Sequence, residues 1–391
     1  MRRALAVATQ CDTPASDSAS KPVSLELAPQ QRDAFEAFQA WFAKRSADTP
    51  VFRLFGVAGT GKTTLARTIA DAVEGKVVFG AFTGKAALQL QRAGCANAQT
   101  LHSLLYKARQ QPDGRVVFQR NPASDLASAS LLIVDEASMV NDAMAADILY
   151  FGVPVLALGD PAQLPPVSGT GAFTTTTPDV MLTEIHRQAR DNPIIRIATA
   201  IREGRPVPMG DYGAVRVISN AGLSAVDVLA HDQVLAGTRA TRDRITAALR
   251  ASYGRRNPAP AVGEKLVCLR NDATLGVYNG GLYTVDEIDG DGMADSYALT
   301  LRDADTPGAR PFRALVHTAF FEGAADKLSP AQRRESAAFE HGLILTGHKA
   351  QGSQWRSVIA FDESAKFGKH ARAWLYTVVT RASDQLTLVR K

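Results

Sequence analysis

The sequence predicts an α/β protein built from two parallel-sheet units, with a small hairpin set into the first and a small β-barrel set into the second. Three observations predict it. A short apolar run, Val51 to Phe55, leads into a glycine-rich loop and then a helical pattern of Leu65, Ile69 and Val73. A second apolar run, Leu131 to Val134, ends in two adjacent carboxylates, Asp135 and Glu136. Past residue 200 the strand-and-helix alternation begins afresh at Asp232 to Arg244, and a turn-rich stretch of short strands at about 271–338 interrupts it.

The chain has 391 residues, enough for more than one domain with its own core. Its 46% hydrophobic and 21% charged content reads as a soluble globular protein, and no apolar run approaches the roughly 18 residues of a membrane span. Residues 1–24 open on Met-Arg-Arg and a brief apolar stretch, and read as a disordered tail rather than a secretory leader. Cys11, Cys95 and Cys268 are too scattered for a disulfide framework or a metal cluster, which suits a reducing, cytoplasmic setting. A formal charge of +5 permits nucleic-acid binding without demanding it.

Gly56 to Thr63 reads Gly-Val-Ala-Gly-Thr-Gly-Lys-Thr and fits the phosphate-binding loop G-x-x-x-x-G-K-[ST] between a strand and a helix. Gly56, Gly59 and Gly61 let the backbone curl, so that N–H groups such as those of Ala58, Thr60 and Thr64 turn toward phosphates at a helix N-terminus. Lys62 would reach the β- and γ-phosphates and the Thr63 hydroxyl would sit on Mg²⁺. The motif implies a nucleoside triphosphate. Asp135, at the carboxyl end of its strand, is the second expected Mg²⁺ ligand, and Glu136 is the expected general base. Two adjacent carboxylates ending an apolar strand are costly unless a metal or hydrogen bonds compensate.

The remaining candidates follow in chain order. A helix entered through Pro29 carries Phe35, Phe38, Trp41 and Phe42 on one face. Gln31 on it reads either as a contact to the adenine edge or as a solvated helix glutamine. A strand at 76–82 runs into Thr83, Gly84 and Lys85, a setting suited to a nucleic-acid phosphate. His102 reads as a phosphate contact, a relay to the nucleotide, or a packed histidine. Residues 107–120 read as a hairpin around Pro-Asp-Gly at 112–114, either a tip that parts base pairs or an ordinary surface hairpin. The strand 153–158 closes in Gly159-Asp-Pro-Ala-Gln-Leu-Pro-Pro166, which would hold Gln163 as a γ-phosphate sensor. Arg187 and Arg381 are the candidate clamps on developing γ-phosphate charge, although each alone reads as a surface arginine. Between them, the strand 343–345 ends at His348, Lys349 and Gln351, with Gly352 freeing the backbone.

The order of these motifs resembles the superfamily 1 helicases, and within them the RecD-like and phage Dda-like group, superfamily 1B. The resemblance covers residues 25 to 391. Its carriers are Leu27-Ala-Pro-Gln-Gln31, Gly56 to Thr63, Ala81 to Ala87, Asp135-Glu136-Ala137, Gly159 to Pro166, Arg187, His348 to Ser353, and Tyr376-Thr-Val-Val-Thr-Arg381.

The resemblance implies two RecA-like lobes with ATP and Mg²⁺ between them and single-stranded DNA across their tops. Lobe 1A would hold residues 25–200, with a strand-separating hairpin, 1B, at about 103–125. Lobe 2A would hold 201–270 and 339–391, and an SH3-like 2B domain would fill 271–338. Gln31 would read adenine, Gly352 would join the nucleotide set, and Arg187 and Arg381 would act as arginine fingers. Thr83, Gly84, Lys85, His102, His348 and Lys349 would lie on the DNA track. The implied activity is ATP-driven 5′ to 3′ unwinding by a monomer acting on single-stranded and tailed duplex DNA. A single-stranded-DNA-binding protein or factors of repair, recombination and replication would be its partners. The lack of a large N-terminal extension argues against an exonuclease assembly, and Phe82 stands where relatives commonly have proline. Two rivals remain: an ATPase that remodels RNA or protein–nucleic-acid complexes without strand separation, and a slow nucleotide-gated switch.

Overall fold

The computed structural model of the chain describes residues 27–110, 116–166, 171–186, 190–272, 274–289, 295–306 and 308–390. The expected tail at 1–24, Cys11, the hairpin turn at 112–114 and Arg187 lie outside these residues.

The first lobe begins with α1 (Pro29–Lys44) and β1 (Val51–Gly56), followed by α2 (Lys62–Ala72), β2 (Val77–Ala81), α3 (Gly84–Arg92), β3 (Ala98–Thr100) and α4 (Leu101–Leu105). A hairpin, β4 (Tyr106–Gln110) and β5 (Val116–Arg120), precedes β6 (Leu131–Val134), β7 (Val155–Gly159) and β8 (Val180–Leu182). These strands, the hairpin aside, form one sheet in the order β3-β2-β6-β7-β1-β8, every pair parallel. β6 and β7 are buried at every position because both sheet faces are covered. Phe38, Leu65 and Ile69 cover one face, and Leu101, Leu126 and Ile148 the other. The aromatic face of α1 docks as its spacing predicts, with Phe38 edge-on to Phe52 at 5.7 Å between ring centroids. Parallel pairing sets the carboxyl ends of β1, β2, β6 and β7 along one rim, where ligands of such sheets bind.

The second lobe contains β9 (Gly210–Asp211), β10 (Val215–Ser219) and β11 (Gln233–Ala236). The chain then builds β12 (Lys265–Cys268), β13 (Leu282–Asp289), β14 (Ser296–Asp303), β15 (Phe312–His317) and β16 (Phe339–His341) before returning as β17 (Ile344–Thr346), β18 (Trp355–Phe361) and β19 (Ala382–Arg390). The lobe's sheet has the order β17-β11-β18-β19-β10-β9, parallel except for β9. The helix Ala371–Val379 packs on it with Trp374, Tyr376 and Val378 buried.

The inserted strands form a separate antiparallel sheet, β15-β14-β13-β12-β16, around Val285, Leu299, Leu301 and Phe339. It reaches beyond the expected limits of 271 and 338, because β12 pairs with both β13 and β16. Residues 265–268 and 339–341 therefore sit in the insertion's sheet rather than in the lobe beside it. The insertion is a curled sheet rather than a demonstrated closed barrel. Its edges approach through one backbone bond, Ala337 N–H to Leu315 O at 2.8 Å, and no ladder joins β15 to β16 among the described residues. No helix of the described residues is long and apolar enough to cross a membrane.

Candidate nucleotide and nucleic-acid site

The loop between β1 and α2 has the curl that its glycines foretell. Gly59 and Gly61 take φ of 84° and 73°, where a side chain is strained. A Cβ on Gly61 would also lie 2.5 Å from His186 Nε2 and 2.6 Å from Gln31 Nε2. Lys62 Nζ donates to Gly56 O at 2.7 Å and Val57 O at 3.2 Å, so the ammonium lies folded over the loop. The Thr60 hydroxyl donates to Val57 O at 2.8 Å and braces the same turn.

β6 delivers Asp135 and Glu136 beside this loop. Burial pushes the Asp135 carboxyl up to about 6, the neighbouring Glu136 charge adding to the effect. Its oxygen accepts the Glu136 backbone N–H at 2.9 Å. Glu136 itself is the one non-glycine residue with positive φ among the described residues, at 53°. That conformation turns the chain at the strand end.

The second lobe meets the loop through the helix Ala371–Val379 and the residues after it. Tyr376 Oη accepts the Ala58 N–H at 2.9 Å and donates to Asp160 Oδ2 at 2.7 Å. Burial raises the pKa of Asp160, and the Ala162 N–H supports its other oxygen at 3.0 Å. Leu164 N–H donates to Thr377 Oγ1 at 2.9 Å, and its carbonyl accepts from Gln351 Nε2 at 3.0 Å. Arg381 is buried, donating to Thr377 O at 3.0 Å and Ser353 O at 3.3 Å, with Nη1 3.7 Å from Glu136 Oε1. Gln163 lies in the same seam, its Oε1 buried without a hydrogen-bond partner. A polar seam thus joins the phosphate loop, the end of β7 and the second lobe.

Comparisons with known proteins bear on this arrangement. The AAA domain profile matches residues 26–221, half of the chain. The chain belongs to the AAA-domain family. The profile of the UvrD-like helicase C-terminal domain matches residues 341–389, and the two-lobed architecture is that of superfamily 1, of the RecD and Dda type. The ATP-dependent RecD2 DNA helicase of Deinococcus radiodurans is 29% identical over 97% of this chain and 52% of its own length. The ATP-dependent DNA helicase dda of Enterobacteria phage T4 is 32% identical over 38% of this chain and 37% of its own. The chain thus spans about half the length of the first relative and less of the second. The crystal structure of Bacteroides Pif1 bound to ssDNA superposes with a TM-score of 0.55 at 18% identity, covering 93% of this chain and 92% of that one. At that identity the likeness speaks to the fold.

In this superfamily 1 framework the residues expected on the DNA track form three groups. Thr83 caps α3, its hydroxyl accepting the Ala86 N–H at 3.2 Å, and a Cβ on Gly84 would run into Tyr278 of the insertion. Lys85 is buried, with Nζ 3.0 Å from Asp305 and 4.1 Å from the Trp355 ring centroid. Burial lowers its pKa against the opposing pull of Asp305. His102 lies apart from these, its ring 4.6 Å from that of Phe118 on the hairpin, and burial lowers its pKa. In the second lobe, Lys349 Nζ is 3.3 Å from Glu340, and burial lowers its pKa too. His348 packs on Phe367 at 5.7 Å between centroids, its pKa lowered by burial and then by His370. Gly352, expected at the nucleotide, lies against α3, where its Cβ would be 3.4 Å from Ala86 and 3.5 Å from Thr83 Oγ1.

Sequence reasoning gave no role to Asp160, Tyr376, His186, Asp305 or Glu340. Asp160 and Tyr376 lie inside recognised motifs, but their contact spans 216 residues. Gln31 meets His186 across 155 residues and Lys85 meets Asp305 across 220, so spacing did not assign them a part.

Proposed function

We propose that this chain is an ATP-dependent DNA helicase that moves 5′ to 3′ on single-stranded DNA and couples ATP hydrolysis to duplex unwinding. One observation carries the reading: the buried Arg381 of the second lobe stands 3.7 Å from Glu136 beside the phosphate loop of the first. An arginine supplied across a cleft to a P-loop carboxylate is the arrangement by which lobe closure completes a site for γ-phosphate transfer. The Deinococcus and T4 relatives are each named an ATP-dependent DNA helicase, and the Pif1 structure holds single-stranded DNA.

Within the site, Lys62 would leave the Gly56 and Val57 carbonyls for the β- and γ-phosphate oxygens. Glu136 would orient the attacking water and accept its proton as the water oxygen bonds to γ-phosphorus and ADP departs. Arg381, with Arg187, would stabilise the charge that gathers on the γ-phosphoryl oxygens, and Gln163 would report its presence. Thr63 and Asp135 would hold Mg²⁺, which when bound neutralises charge on the β- and γ-phosphates. Their hard oxygen donors suit it, and the raised pKa of Asp135 marks a buried carboxylate in want of a cation. No cluster of three or more His, Cys, Asp or Glu able to hold an ion is present among the described residues, as befits a cation shared with phosphates.

The finer reading assigns an SH3-like 2B domain to the insertion, widened to take in β12 and β16, a strand-separating 1B hairpin to β4 and β5, and otherwise the lobe limits expected from the sequence. It also assigns a monomer working in the cytoplasm with single-stranded-DNA-binding or repair, recombination and replication partners. The test is ATP-dependent unwinding of a duplex carrying either a 5′ or a 3′ single-stranded tail, with Lys62→Ala as control. Unwinding from the 5′ tail alone, lost in Lys62→Ala, is the expected result. DNA-stimulated hydrolysis with no unwinding from either tail would move the reading to a translocase or remodeller.

A further inference from the structure

The strands β4 and β5 form a sheet of their own, with no third strand beside them among the described residues. Such a ribbon is marginally stable in water by itself, so its direction has to be held from outside. The pairing shows which side chains can do so. Tyr106 stands opposite Arg120 at the root of the ladder, and Lys107 opposite Gln119 one step further out. Strand alternation therefore puts Tyr106, Phe118 and Arg120 on one face, and Lys107, Arg109 and Gln119 on the other. The second set is exposed. The first set meets the lobe, with the His102 ring 4.9 Å from that of Tyr106 and 4.6 Å from that of Phe118.

One carboxylate joins both strands to the lobe. Asp147, on the helix Asp142–Leu149, accepts the Tyr106 hydroxyl on Oδ2 at 2.6 Å, and its Oδ1 lies 3.0 Å from Arg120 Nε. Burial raises the Tyr106 pKa and the bond to Asp147 raises it further, so the phenol keeps its proton and stays the donor. The Arg120 guanidinium also lies over the Tyr150 ring, 4.2 Å from its centroid, just past the end of the same helix. That helix is itself anchored, with Ala145 and Ile148 buried in the core beside Leu104 and Leu105. Two bonds, one to each strand, fix the angle at which the hairpin leaves the lobe. A single bond would leave it free to swing.

We propose that Asp147 is a positioning residue for strand separation: by holding Tyr106 and Arg120 together it sets the angle at which the hairpin meets the duplex. This inference rests on the reading of β4 and β5 as the strand-separating hairpin. A wedge parts a base pair only if it yields less than the pair does. Loosening its root therefore lowers unwinding even though every residue of the hairpin is intact. The side-chain bonds of Asp147 among the described residues all go to the hairpin, so the phosphate loop and the cations of the two lobes keep their own partners without it.

The experiment measures unwinding of a forked duplex, and ATP hydrolysis stimulated by single-stranded DNA, in the unaltered chain, Asp147→Ala and Asp147→Asn. Asp147→Ala is expected to unwind roughly five- to twenty-fold more slowly, with stimulated hydrolysis within about two-fold of normal, the worth of a charged hydrogen bond discounted for partial exposure. Asp147→Asn keeps an oxygen for the Tyr106 hydroxyl and should fall between the two. It carries the same comparison if the alanine variant does not fold. Hydrogen exchange checks the cause: the amides of 106–110 and 116–120 should exchange faster in Asp147→Ala, while those of β6 and β7 do not change. Equal unwinding by the variants and the unaltered chain would overturn the proposal. Parallel losses of unwinding and hydrolysis would overturn it too, since they mark a general loss of structure. An unaltered chain that hydrolyses ATP on DNA but unwinds no forked duplex fails at the earlier step, the helicase reading, and takes this inference with it.

Discussion

Lys85 of the first lobe and Asp305 of the insertion form an ion pair 3.0 Å long, with the lysine side chain only 5% exposed. Arg92 secures the same loop, donating to Asp305 O at 3.0 Å and Thr306 Oγ1 at 2.8 Å. Across the cleft, Glu340 of β16 takes Lys349 at 3.3 Å and Arg242 at 2.7 Å. One small sheet therefore supplies a carboxylate to a lysine of each lobe, and both are lysines expected to meet DNA phosphates. Asp305→Asn should strengthen single-stranded DNA binding by about three- to ten-fold at low salt, because Lys85 would no longer be neutralised. Fluorescence anisotropy with a labelled oligonucleotide measures it. Unchanged or weaker binding would make the pair a structural clamp alone.

Tyr376 bridges the lobes through Ala58 and Asp160. Removing its hydroxyl by Tyr376→Phe leaves the Ala58 N–H and a buried Asp160 oxygen unpaired, a loss of about 1–3 kcal/mol in stability by urea unfolding. The same variant should lose more of its DNA-stimulated ATP hydrolysis than of its DNA-free rate, because the bond lies between the lobes. Equal losses in the two rates would deny it a coupling role.

Glu363 anchors the start of the helix Arg239–Ser252. It accepts from the Gly237 and Thr238 amides at 2.8 and 3.1 Å and from Thr241 Oγ1 at 2.7 Å, and it pairs with Lys366. Burial alone would raise its pKa, yet the bonds from Lys366, Thr241 and the two amides hold it below the ordinary 4.5. A carboxylate depressed in the folded state adds stability above its unfolded pKa and loses it as pH falls through the folded value. Glu363→Gln should therefore cost about 1.5–3 kcal/mol near pH 7. The gap to the unaltered chain should narrow as pH drops below 4.5, followed by chemical denaturation at stepped pH. A gap that is constant with pH would contradict this.

Phe118 on β5 is 57% exposed and touches His102 edge-on. Phe118→Ala should lower unwinding of a forked duplex several-fold while leaving single-stranded-DNA-stimulated ATP hydrolysis nearly intact. Parallel losses in both assays would return the hairpin to an ordinary surface element.

Much of this arrangement was legible in the sequence, and the gaps have physical causes. β6 announces itself because four apolar residues followed by two carboxylates make sense only as a buried strand reaching a site. The loop at 56–63 was legible because its glycines answer a local backbone demand. β10 was missed because its partly exposed Val-Arg-Val-Ile-Ser run takes its place only by pairing with β19, far along the chain. The insertion's limits were misjudged for the same reason: Lys265–Cys268 resembles a core strand of the lobe, and its pairing with β13 and β16 decides otherwise. His186 meets Gln31 across 155 residues, and sequence spacing carries no trace of such a contact.

Glu136 holds a left-handed backbone that Gly or Asn would adopt with less strain. A library randomised at this one position would therefore divide according to what is selected. Survivors of a heat challenge should drift toward Gly and Asn, whereas survivors of a turnover screen should keep Glu. The codon at 136 would record which of the two demands, endurance or chemistry, a lineage had last been asked to meet.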